Sequence, residues 1–313
     1  MNEKKITNRQ TICETLMRLA AEDKNIMVLT SDSRGSASLA PFAQAYPKQH
    51  VETGIAEQDI VGIAAGLASM GKKPVVASPA SFLSMRAIEQ IKVDVAYSRM
   101  PVVLYGISGG LSYGALGMTH HSLQDIAAIG AIPGIDVILP ADRFESVAVI
   151  EDLMRTPRPA YLRIGRNAVE DVYEDGQTHY ERGKATQLCE GEDAAIIATG
   201  EMVYPAKCAA RLLYERGIRV RVFDMHTIKP FDEAAVRAAC ETGIVLTMEE
   251  HSLYGGLGSR VCMVAAQAGK ARVRVLAVPD EPAIAGTSAQ VFAHYGLTAE
   301  NAARIIEEEV RGS

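Results

Sequence analysis

Short apolar runs of strand length alternate with helical segments along nearly the whole chain, and this alternation constrains its fold more than any other feature. In the first half, strands are predicted at 26–30, 74–77, 102–107 and 137–139. Helices are predicted, from apolar residues at helical spacing, at 9–23, 59–69, 87–96 and 144–154. Such alternation predicts an α/β fold with a doubly wound, mainly parallel sheet.

A polar, glycine-containing segment interrupts this pattern at 167–192, and we interpret it as a linker. A second alternation follows it. Its predicted strands are 194–199, 219–224, 243–249 and 273–278, and its predicted helices are 204–216, 232–241, 260–268 and 299–311. The 313 residues suit about two domains. We therefore expect one α/β domain at 1–166, a linker at 167–192, and a smaller α/β domain at 193–313.

Charge and hydropathy exclude several classes of protein. The chain has 32 basic and 38 acidic residues and no basic block, so neither nucleic acid nor a membrane is expected as a partner. Its apolar runs are too short to cross a bilayer, and its first residues lack the apolar core of a signal peptide. Five cysteines without CxxC spacing favour buried, reduced thiols. We therefore expect a cytoplasmic protein.

Several loops are candidates for a functional site, because ligands of α/β sheets bind beyond the carboxyl ends of the strands. The segments 31–36 and 78–82 follow predicted strands, and 54–58 opens a predicted helix. The longest loop, 106–121, contains five glycines. Its backbone is therefore expected to approach another group closely or to adopt unusual dihedral angles.

Two kinds of side chain in these loops are suited to acid–base chemistry. Glu57 is explained equally by stabilisation at the start of a helix and by a partly buried carboxylate that shares a proton with a ligand. His120 and His121 are adjacent in the glycine-rich loop, where a histidine is better placed for proton transfer than on an apolar helix face. From the residues alone, both alternatives stay open.

Common nucleotide and catalytic motifs are absent from the sequence. It contains no GxxxxGK[ST] loop and no GxGxxG after a strand, which disfavours the usual NAD and ATP enzymes. It contains no Gly-x-Ser-x-Gly elbow and no metal-ligand spacing around the two histidines, so no metal site is expected on this chain.

The motifs, taken as a set, resemble the transketolase family. Its pyrimidine-binding domain is resembled by Gly54-Ile55-Ala56-Glu57-Gln58, Ser81-Phe82, Met118-Thr119-His120-His121 and Pro140-Ala141-Asp142. Its C-terminal domain is resembled by Glu250-His251, Gly255-Gly256-Leu257-Gly258-Ser259 and Tyr295-Gly296-Leu297-Thr298. The resemblance covers nearly the whole chain, and the length matches the C-terminal subunit of a split transketolase.

The resemblance implies thiamine diphosphate as the cofactor. The family's Gly-Asp-Gly…Asn motif, which holds Mg²⁺ and the diphosphate, is missing, since Asp175-Gly176 in the linker is not in that context. The chain is therefore expected to bind only the aminopyrimidine end. An N-terminal transketolase subunit is the implied partner that binds the diphosphate and Mg²⁺, and the expected assembly is a heterotetramer with two copies of each chain.

The resemblance also assigns cofactor contacts to three residues. Glu57 matches the carboxylate that hydrogen-bonds the pyrimidine N1′, which allows the cofactor's 4′-imino group to remove the proton from thiazolium C2. Phe82 matches the aromatic wall against the aminopyrimidine. Asp32 matches a family aspartate in the first βα loop, near the cofactor.

Substrate contacts follow from the same resemblance. His120 matches the histidine that hydrogen-bonds the donor's hydroxyls and oxyanion, so Glu57 and His120 are the implied catalytic residues. Arg9, Ser36 and Arg166 match the positions that bind the phosphate of sugar phosphates, and a guanidinium can bind phosphate through two parallel hydrogen bonds.

Leu116 departs from the family pattern. It stands where the family has an aspartate that binds the hydroxyl next to the substrate carbonyl. A hydroxyl left without its hydrogen bond costs roughly 1–3 kcal/mol. We therefore expect a substrate that differs from ordinary pentose phosphates, such as a deoxy, branched or otherwise modified sugar or a 2-oxo acid.

The favoured function is transfer of a two-carbon ketol unit between sugar phosphates or related modified sugars, as one subunit of a two-chain transketolase. The alternatives are the β subunit of a 2-oxo acid dehydrogenase, a deoxyxylulose-phosphate-synthase-like enzyme, and a non-catalytic cofactor-binding subunit. The segments 119–121 and 250–251 favour the transketolase. Joint presence of Glu57, Phe82 and His120 argues against a subunit without turnover.

Overall fold

The strands assemble into two separate sheets. The structure, a computed structural model, describes residues 6–174 and 177–312. Within these residues one sheet has seven strands and the other five, and all neighbours but one pair in each sheet are parallel. The α/β architecture expected from the alternation is confirmed.

The first sheet reverses its strand order beside its first strand. Its members are β1 (Ile26–Thr30), β2 (His50–Glu52), β3 (Lys73–Pro79), β4 (Val103–Ile107), β5 (Asp136–Ile138), β6 (Ala160–Ile164) and β10 (Thr227–Lys229). Their order across the sheet is β10-β5-β6-β4-β3-β1-β2. Because β1 pairs with β2 on one side and β3 on the other, the loops after β1 and β3 diverge and leave a crevice at their carboxyl ends.

The second sheet is built in the same way from fewer strands. They are β7 (Thr186–Cys189), β8 (Ala194–Ala198), β9 (Val220–Asp224), β11 (Ile244–Ser252) and β12 (Arg272–Val278). Their order is β12-β11-β8-β9-β7, and the edge strand β7 runs antiparallel to β9. The central strand β8 is buried along its whole length, as expected for a parallel sheet covered on both faces.

Helices cover both sheets. Those of the first half are α1 (Asn8–Glu22), α2 (Ala40–Ala45), α3 (Glu57–Ser69), α4 (Ala80–Arg86), α5 (Ile88–Gln90), α6 (Asp125–Gly130) and α7 (Arg143–Arg155). Those of the second half are α8 (Val203–Tyr214), α9 (Glu233–Cys240), α10 (Leu257–Ala268), α11 (Ser288–His294) and α12 (Ala299–Arg311). Short 3₁₀ turns lie at Pro47–Gln49, Gly114–Leu116 and Gly200–Met202.

One hydrophobic cluster joins the two halves of the molecule. Ile126 and Ile129 of α6 belong to the same buried cluster as Val236 of α9 and Val261 of α10. The other face of the first sheet packs under α1, α2 and α7, and the other face of the second sheet under α8 and α12. The helices between the sheets therefore hold the domains together through a shared core.

Several elements were not predicted from the sequence. They are the strands β2, β6, β7 and β10 and the helices α2, α4, α6 and α11. The edge strands are short and polar, and β6 carries a charged residue, Arg163, in an otherwise apolar run. Apolar periodicity is a weak signal in segments of this kind.

The helix predicted at 87–96 is wrong in its form. The chain makes one α-helical turn at Ile88–Gln90 and continues as a π-helix over Ile91–Tyr97. At its end, the backbone N–H of Ser98 donates to the carbonyl of Val93, five residues earlier, over 3.3 Å. The wider turns still bury Ile91 and Val95, so the apolar face that suggested a helix does pack inward.

The segment interpreted as a linker packs closely against both domains. It contributes β7 to the second sheet, and Asp142 of the first domain accepts the backbone N–H of Val172 and Tyr173 at 2.7 and 2.8 Å. The Tyr173 hydroxyl donates to Asp224 of β9 over 2.7 Å. Conversely, β10 crosses into the first sheet. We retain the division at 166 and 193 as a proposal, since the other strands on each side stay in one sheet.

The cysteines and helices agree with a core of ordinary packing. Cys13 and Cys240 are buried, the other three cysteines are half-buried, and each of the five is a free thiol. In the part of the chain that the structure describes, no helix is long and apolar enough to cross a membrane.

Arg163 places a buried charge in the middle of β6. Its side chain is 6 % exposed and pairs through Nε with Asp125, which is fully buried, over 3.1 Å. Its Nη2 donates to the backbone carbonyl of Glu250, in β11 of the second sheet, over 2.6 Å. This guanidinium therefore links the two domains by a charged contact beside the shared apolar core.

Arg163→Leu is expected to lower the free energy of unfolding by about 3–5 kcal/mol, because it leaves the Asp125 carboxylate buried without its countercharge. Urea denaturation of the variant and the parent chain measures the difference. Arg237→Leu is the control, since Arg237 makes an exposed pair with Glu233 and should change stability by less than about 1 kcal/mol. Equal effects of the two substitutions would contradict this role for Arg163.

Candidate active site

A cavity of about 340 Å³ lies at the carboxyl ends of β1 and β3, where the strand order reverses. Ligands of open α/β sheets bind at this place. Six of the seven residues predicted to form the site line it: Asp32, Ser36, Glu57, Phe82, His120 and Arg166. The fold thus brings together side chains from separate loops.

Glu57 lies in the wall of the cavity at the start of α3. Its side chain is 4 % exposed, and Nη1 of Arg86 lies 3.0 Å from each of its two oxygens. The first turn of a helix stabilises a carboxylate, and the guanidinium supplies the countercharge that a buried carboxylate requires. The surroundings of Glu57 are therefore charged, not purely apolar as the neighbouring sequence had indicated.

Aromatic rings form one side of the cavity. Phe82, near the start of α4, meets the His120 ring edge-on with 5.1 Å between ring centres, and Tyr113 meets the same imidazole at 5.3 Å. The Thr119 hydroxyl lies 2.9 Å from His120 Nδ1, which leaves Nε2 available to a ligand. The rings therefore hold the imidazole at the cavity wall from two sides.

The three residues predicted to bind phosphate lie together but play different parts. Arg166 lines the cavity, lies over the Tyr113 ring at 5.0 Å, and has a buried Nη1 without a hydrogen-bond partner among the described residues. Arg9 instead donates to the backbone carbonyls of Ser36 and, over 2.6 Å, of Arg166. Arg166 therefore offers an unused donor to an anion, while Arg9 fixes the two segments beside it.

Asp32 adopts a strained backbone conformation at the end of β1. Its φ of 53° lies in the left-handed region, which is uncommon for residues other than glycine. Its backbone N–H donates to the Glu52 carboxylate over 2.7 Å, and the N–H of Gly54 donates to the same oxygen over 3.1 Å. Glu52 thus ties the loop after β1 to the turn that precedes Glu57.

The glycine-rich loop folds back across the cavity. Gly110 and Ser122 exchange two backbone hydrogen bonds, and the buried His121 ring lies 3.2 Å from the carbonyl of Gly114. Gly114 and Gly117 both have positive φ, so glycine is needed at these two positions. Burial lowers the pKa of His121, which suits a structural role in the loop better than proton transfer.

Leu116 is placed on the cavity wall by this loop. It lies in the short turn Gly114–Leu116 and is 52 % exposed, with its side chain lining the same cavity as His120 and Glu57. An apolar group therefore faces the space where a substrate would be bound.

Three residues of the site were missed by sequence reasoning: Arg86, Tyr113 and Glu52. Arg86 ends a helix that the sequence did not predict, so nothing local linked it to Glu57. Tyr113 could have been found, because it is the aromatic residue inside the glycine-rich loop.

The residues present fit the aminopyrimidine that the family resemblance implies. A planar aromatic ring, Phe82, lies within one cavity with a buried carboxylate, Glu57. Among the described residues no three His, Cys, Asp or Glu side chains are grouped so as to hold a metal ion. Asp175-Gly176 of the linker, which lack the sequence context of the diphosphate motif, lie outside the described residues.

Glu250 supports the glycine-rich loop from the second domain. Its carboxylate accepts the backbone N–H of Leu111, and its side chain is buried. Burial raises the pKa of Glu250 to about 7, an effect that the nearby Arg163 guanidinium partly offsets. The second domain therefore contributes a titratable group directly beneath the loop that carries His120.

Family comparisons assign both halves of the chain. Residues 4–171 match the family described as "Transketolase, pyrimidine binding domain" and residues 183–302 match "Transketolase, C-terminal domain". The cavity and each of its named residues fall within the first match.

Similar proteins of comparable length are known. One of the two subunits of an apulose-4-phosphate transketolase from Phocaeicola vulgatus is 48% identical over 98% of both chains. A 6-deoxy-6-sulfo-D-fructose transketolase subunit from a Clostridium species is 35% identical over 96% of this chain and 93% of its own. A 1-deoxy-D-xylulose-5-phosphate synthase from Heliobacterium modesticaldum is 38% identical over 96% of this chain but only 47% of its own.

Solved structures agree with these relationships. A split gene transketolase, described as an inactive β4 tetramer, superposes with a TM-score of 0.89 at 32% identity, over 98% of this chain and 99% of its own. A transketolase from Pichia stipitis has a TM-score of 0.81 at 20% identity and shares the fold over 99% of this chain and 46% of its own.

The free energy of unfolding is expected to fall as the pH rises from about 4.5 to 7, in part because of Glu250. Its raised pKa means that the folded chain binds this proton more tightly than the unfolded chain, so the stability present below pH 4.5 is lost as the proton leaves. One such group contributes a slope of at most about 1.4 kcal/mol per pH unit.

Glu250→Gln should make this slope shallower, because the amide oxygen still accepts the Leu111 N–H but does not titrate. Urea denaturation between pH 5 and 8 measures it, and Glu89→Gln at an exposed position is the control. A slope in Glu250→Gln that equals that of the control would show that this carboxyl is not the titrating group.

Proposed function

The chain belongs to the transketolase family, as the C-terminal subunit of a transketolase that is split between two chains, and on this basis we propose that its cavity is one half of a shared active site. The transketolase interpretation of the sequence is confirmed, and the protein is a transferase that acts with a partner subunit. The 2-oxo acid dehydrogenase and non-catalytic alternatives are set aside.

The observation that carries the proposed mechanism is the position of Glu57. It is a nearly fully buried carboxylate that shares a cavity with Phe82, His120 and Arg166. Thiamine diphosphate, when bound, supplies the carbanion that attacks the carbonyl carbon of a ketose. Glu57 holds a proton at the pyrimidine N1′, and Phe82 stacks against the pyrimidine ring. Asp32, at the strained end of β1, lies beside the same cofactor.

The remaining cavity residues bind the substrate in this proposal. His120 is held by Phe82 and Tyr113 and presents Nε2 to the donor's hydroxyls and oxyanion. Arg166 binds the substrate phosphate through its unused, buried Nη1, with Ser36 beside it. Arg9 assists by holding the backbone of both segments.

The substrate is a modified sugar phosphate. Relatives at 48% and 35% identity carry names that refer to apulose 4-phosphate and 6-deoxy-6-sulfofructose. Leu116 agrees with such a substrate because its apolar side chain faces the cavity and accepts no hydrogen bond from a hydroxyl. A branched ketose phosphate such as apulose 4-phosphate is the donor that we favour.

A partner chain completes the site. The described residues contain no grouping suited to Mg²⁺, so the metal and the diphosphate fall to an N-terminal subunit in a heterotetramer with two copies of each chain. The five free thiols suit a reducing compartment, which supports a cytoplasmic location.

Glu57→Gln in the reconstituted two-chain enzyme should lower kcat by roughly 100-fold or more, because an amide does not exchange a proton with N1′. Steady-state kinetics of ketol transfer measure the loss, and Glu89→Gln, on an exposed neighbouring helix, serves as the matched control. Survival of full activity in Glu57→Gln would contradict the proposed mechanism.

Leu116→Asp should shift preference towards ordinary pentose phosphates. The new carboxylate restores an acceptor for the hydroxyl next to the carbonyl, so kcat/KM for xylulose 5-phosphate should rise roughly tenfold relative to apulose 4-phosphate. Ala115→Asp is the matched control, because Ala115 is the exposed neighbour of Leu116 in the same turn. Full activity of the parent enzyme on xylulose 5-phosphate would contradict the role given to Leu116.

A further inference from the structure

Arg86 contacts both groups that the proposed function assigns to the cofactor's aminopyrimidine. Its Nη1 donates to both oxygens of Glu57 at 3.0 Å, and its guanidinium carbon lies 4.1 Å from the centre of the Phe82 ring. Stacking on an aromatic face and hydrogen bonding to a carboxylate are also the two contacts expected of an aminopyrimidine.

The position of Arg86 follows from the local fold. Phe82 and Arg86 are four residues apart on α4 and therefore lie on the same side of that helix. Glu57 begins α3, which packs against α4. A carboxylate that is 4 % exposed needs a partner in the absence of ligand, and the arginine supplies it.

We propose that Arg86 is an internal substitute for the aminopyrimidine, which the cofactor must displace from Glu57 in order to bind. This inference rests on the proposed function of the cavity. A guanidinium and an aminopyrimidine are both planar, conjugated groups that donate N–H bonds along one edge. Because Nη1 is equidistant from both oxygens of Glu57, it occupies the approach that a single ring nitrogen would use.

The displaced side chain has space to occupy. The Arg86 side chain is 48 % exposed, and it borders a second, open cavity of about 570 Å³ on the far side of Glu57. Asp59 lines that cavity as well and offers another carboxylate to the released guanidinium. Arg86 can therefore leave Glu57 without disturbing the hydrophobic core.

Arg86 is thus a positioning residue with two consequences. It holds the buried Glu57 carboxylate in place before the cofactor arrives, and it competes with the aminopyrimidine for that carboxylate. The competition weakens binding of the pyrimidine to the chain alone, so that stable binding requires the diphosphate contacts of the partner subunit.

Calorimetric titration of the full chain with 4-amino-5-hydroxymethyl-2-methylpyrimidine tests this inference. Arg86→Gln removes the charge that pairs with Glu57 and should lower the dissociation constant of this probe roughly tenfold. Arg86→Lys keeps a charge for Glu57 but loses the planar face over Phe82, so a smaller gain is expected, and this variant retains the partner needed for stability. Arg155→Gln is the matched control, because Arg155 also ends a helix and pairs with an acid, Asp152, but lies away from the cavity.

Unchanged, weaker or undetectable binding of the probe to Arg86→Gln, in a chain that melts cooperatively, overturns the inference. It would make Arg86 either a bystander or a ligand of the cofactor. Titration of the parent two-chain complex with thiamine diphosphate and Mg²⁺ separates this result from failure of the proposed function. If that complex binds the cofactor while Arg86→Gln gains nothing, only the role of Arg86 is wrong.

Discussion

The buried guanidinium of Arg163 is the contact on which the arrangement of the site depends. It is neutralised by Asp125 of its own domain and donates to the carbonyl of Glu250 in the other. The Glu250 carboxylate in turn accepts the N–H of Leu111, at the start of the loop that carries Tyr113, Leu116 and His120 to the cavity. The second domain therefore shapes the site although none of its residues is needed in the cavity wall.

The same constraint explains why the two domains behave as one unit. A shared hydrophobic cluster joins their helices, and the linker is held by Asp142 on one side and Asp224 on the other. Burial raises the pKa of several carboxyl groups at this junction, including Glu249, Glu250 and Asp224, each to about 7. The junction is thus more stable when these groups are protonated, which couples the geometry of the glycine-rich loop to pH.

Much of the fold could be predicted from the sequence, because buried parallel strands and amphipathic helices leave a strong apolar pattern. The edge strands β2, β7 and β10 left no such pattern, since they are short and polar. The family resemblance picked out Asp32, Ser36, Glu57, Phe82, His120 and Arg166, which the fold places in one cavity. Arg86 and Arg163 could not be inferred, because each has its meaning only through a partner distant in the sequence, Glu57 or Asp125.

A structure of the two-chain complex with thiamine diphosphate and Mg²⁺ bound tests the central claim most directly. The account predicts the pyrimidine ring against Phe82, its N1′ at about 2.7–3.2 Å from Glu57, and the metal held by residues of the partner chain. A pyrimidine bound away from Glu57, or a metal held by carboxylates of this chain, would contradict it.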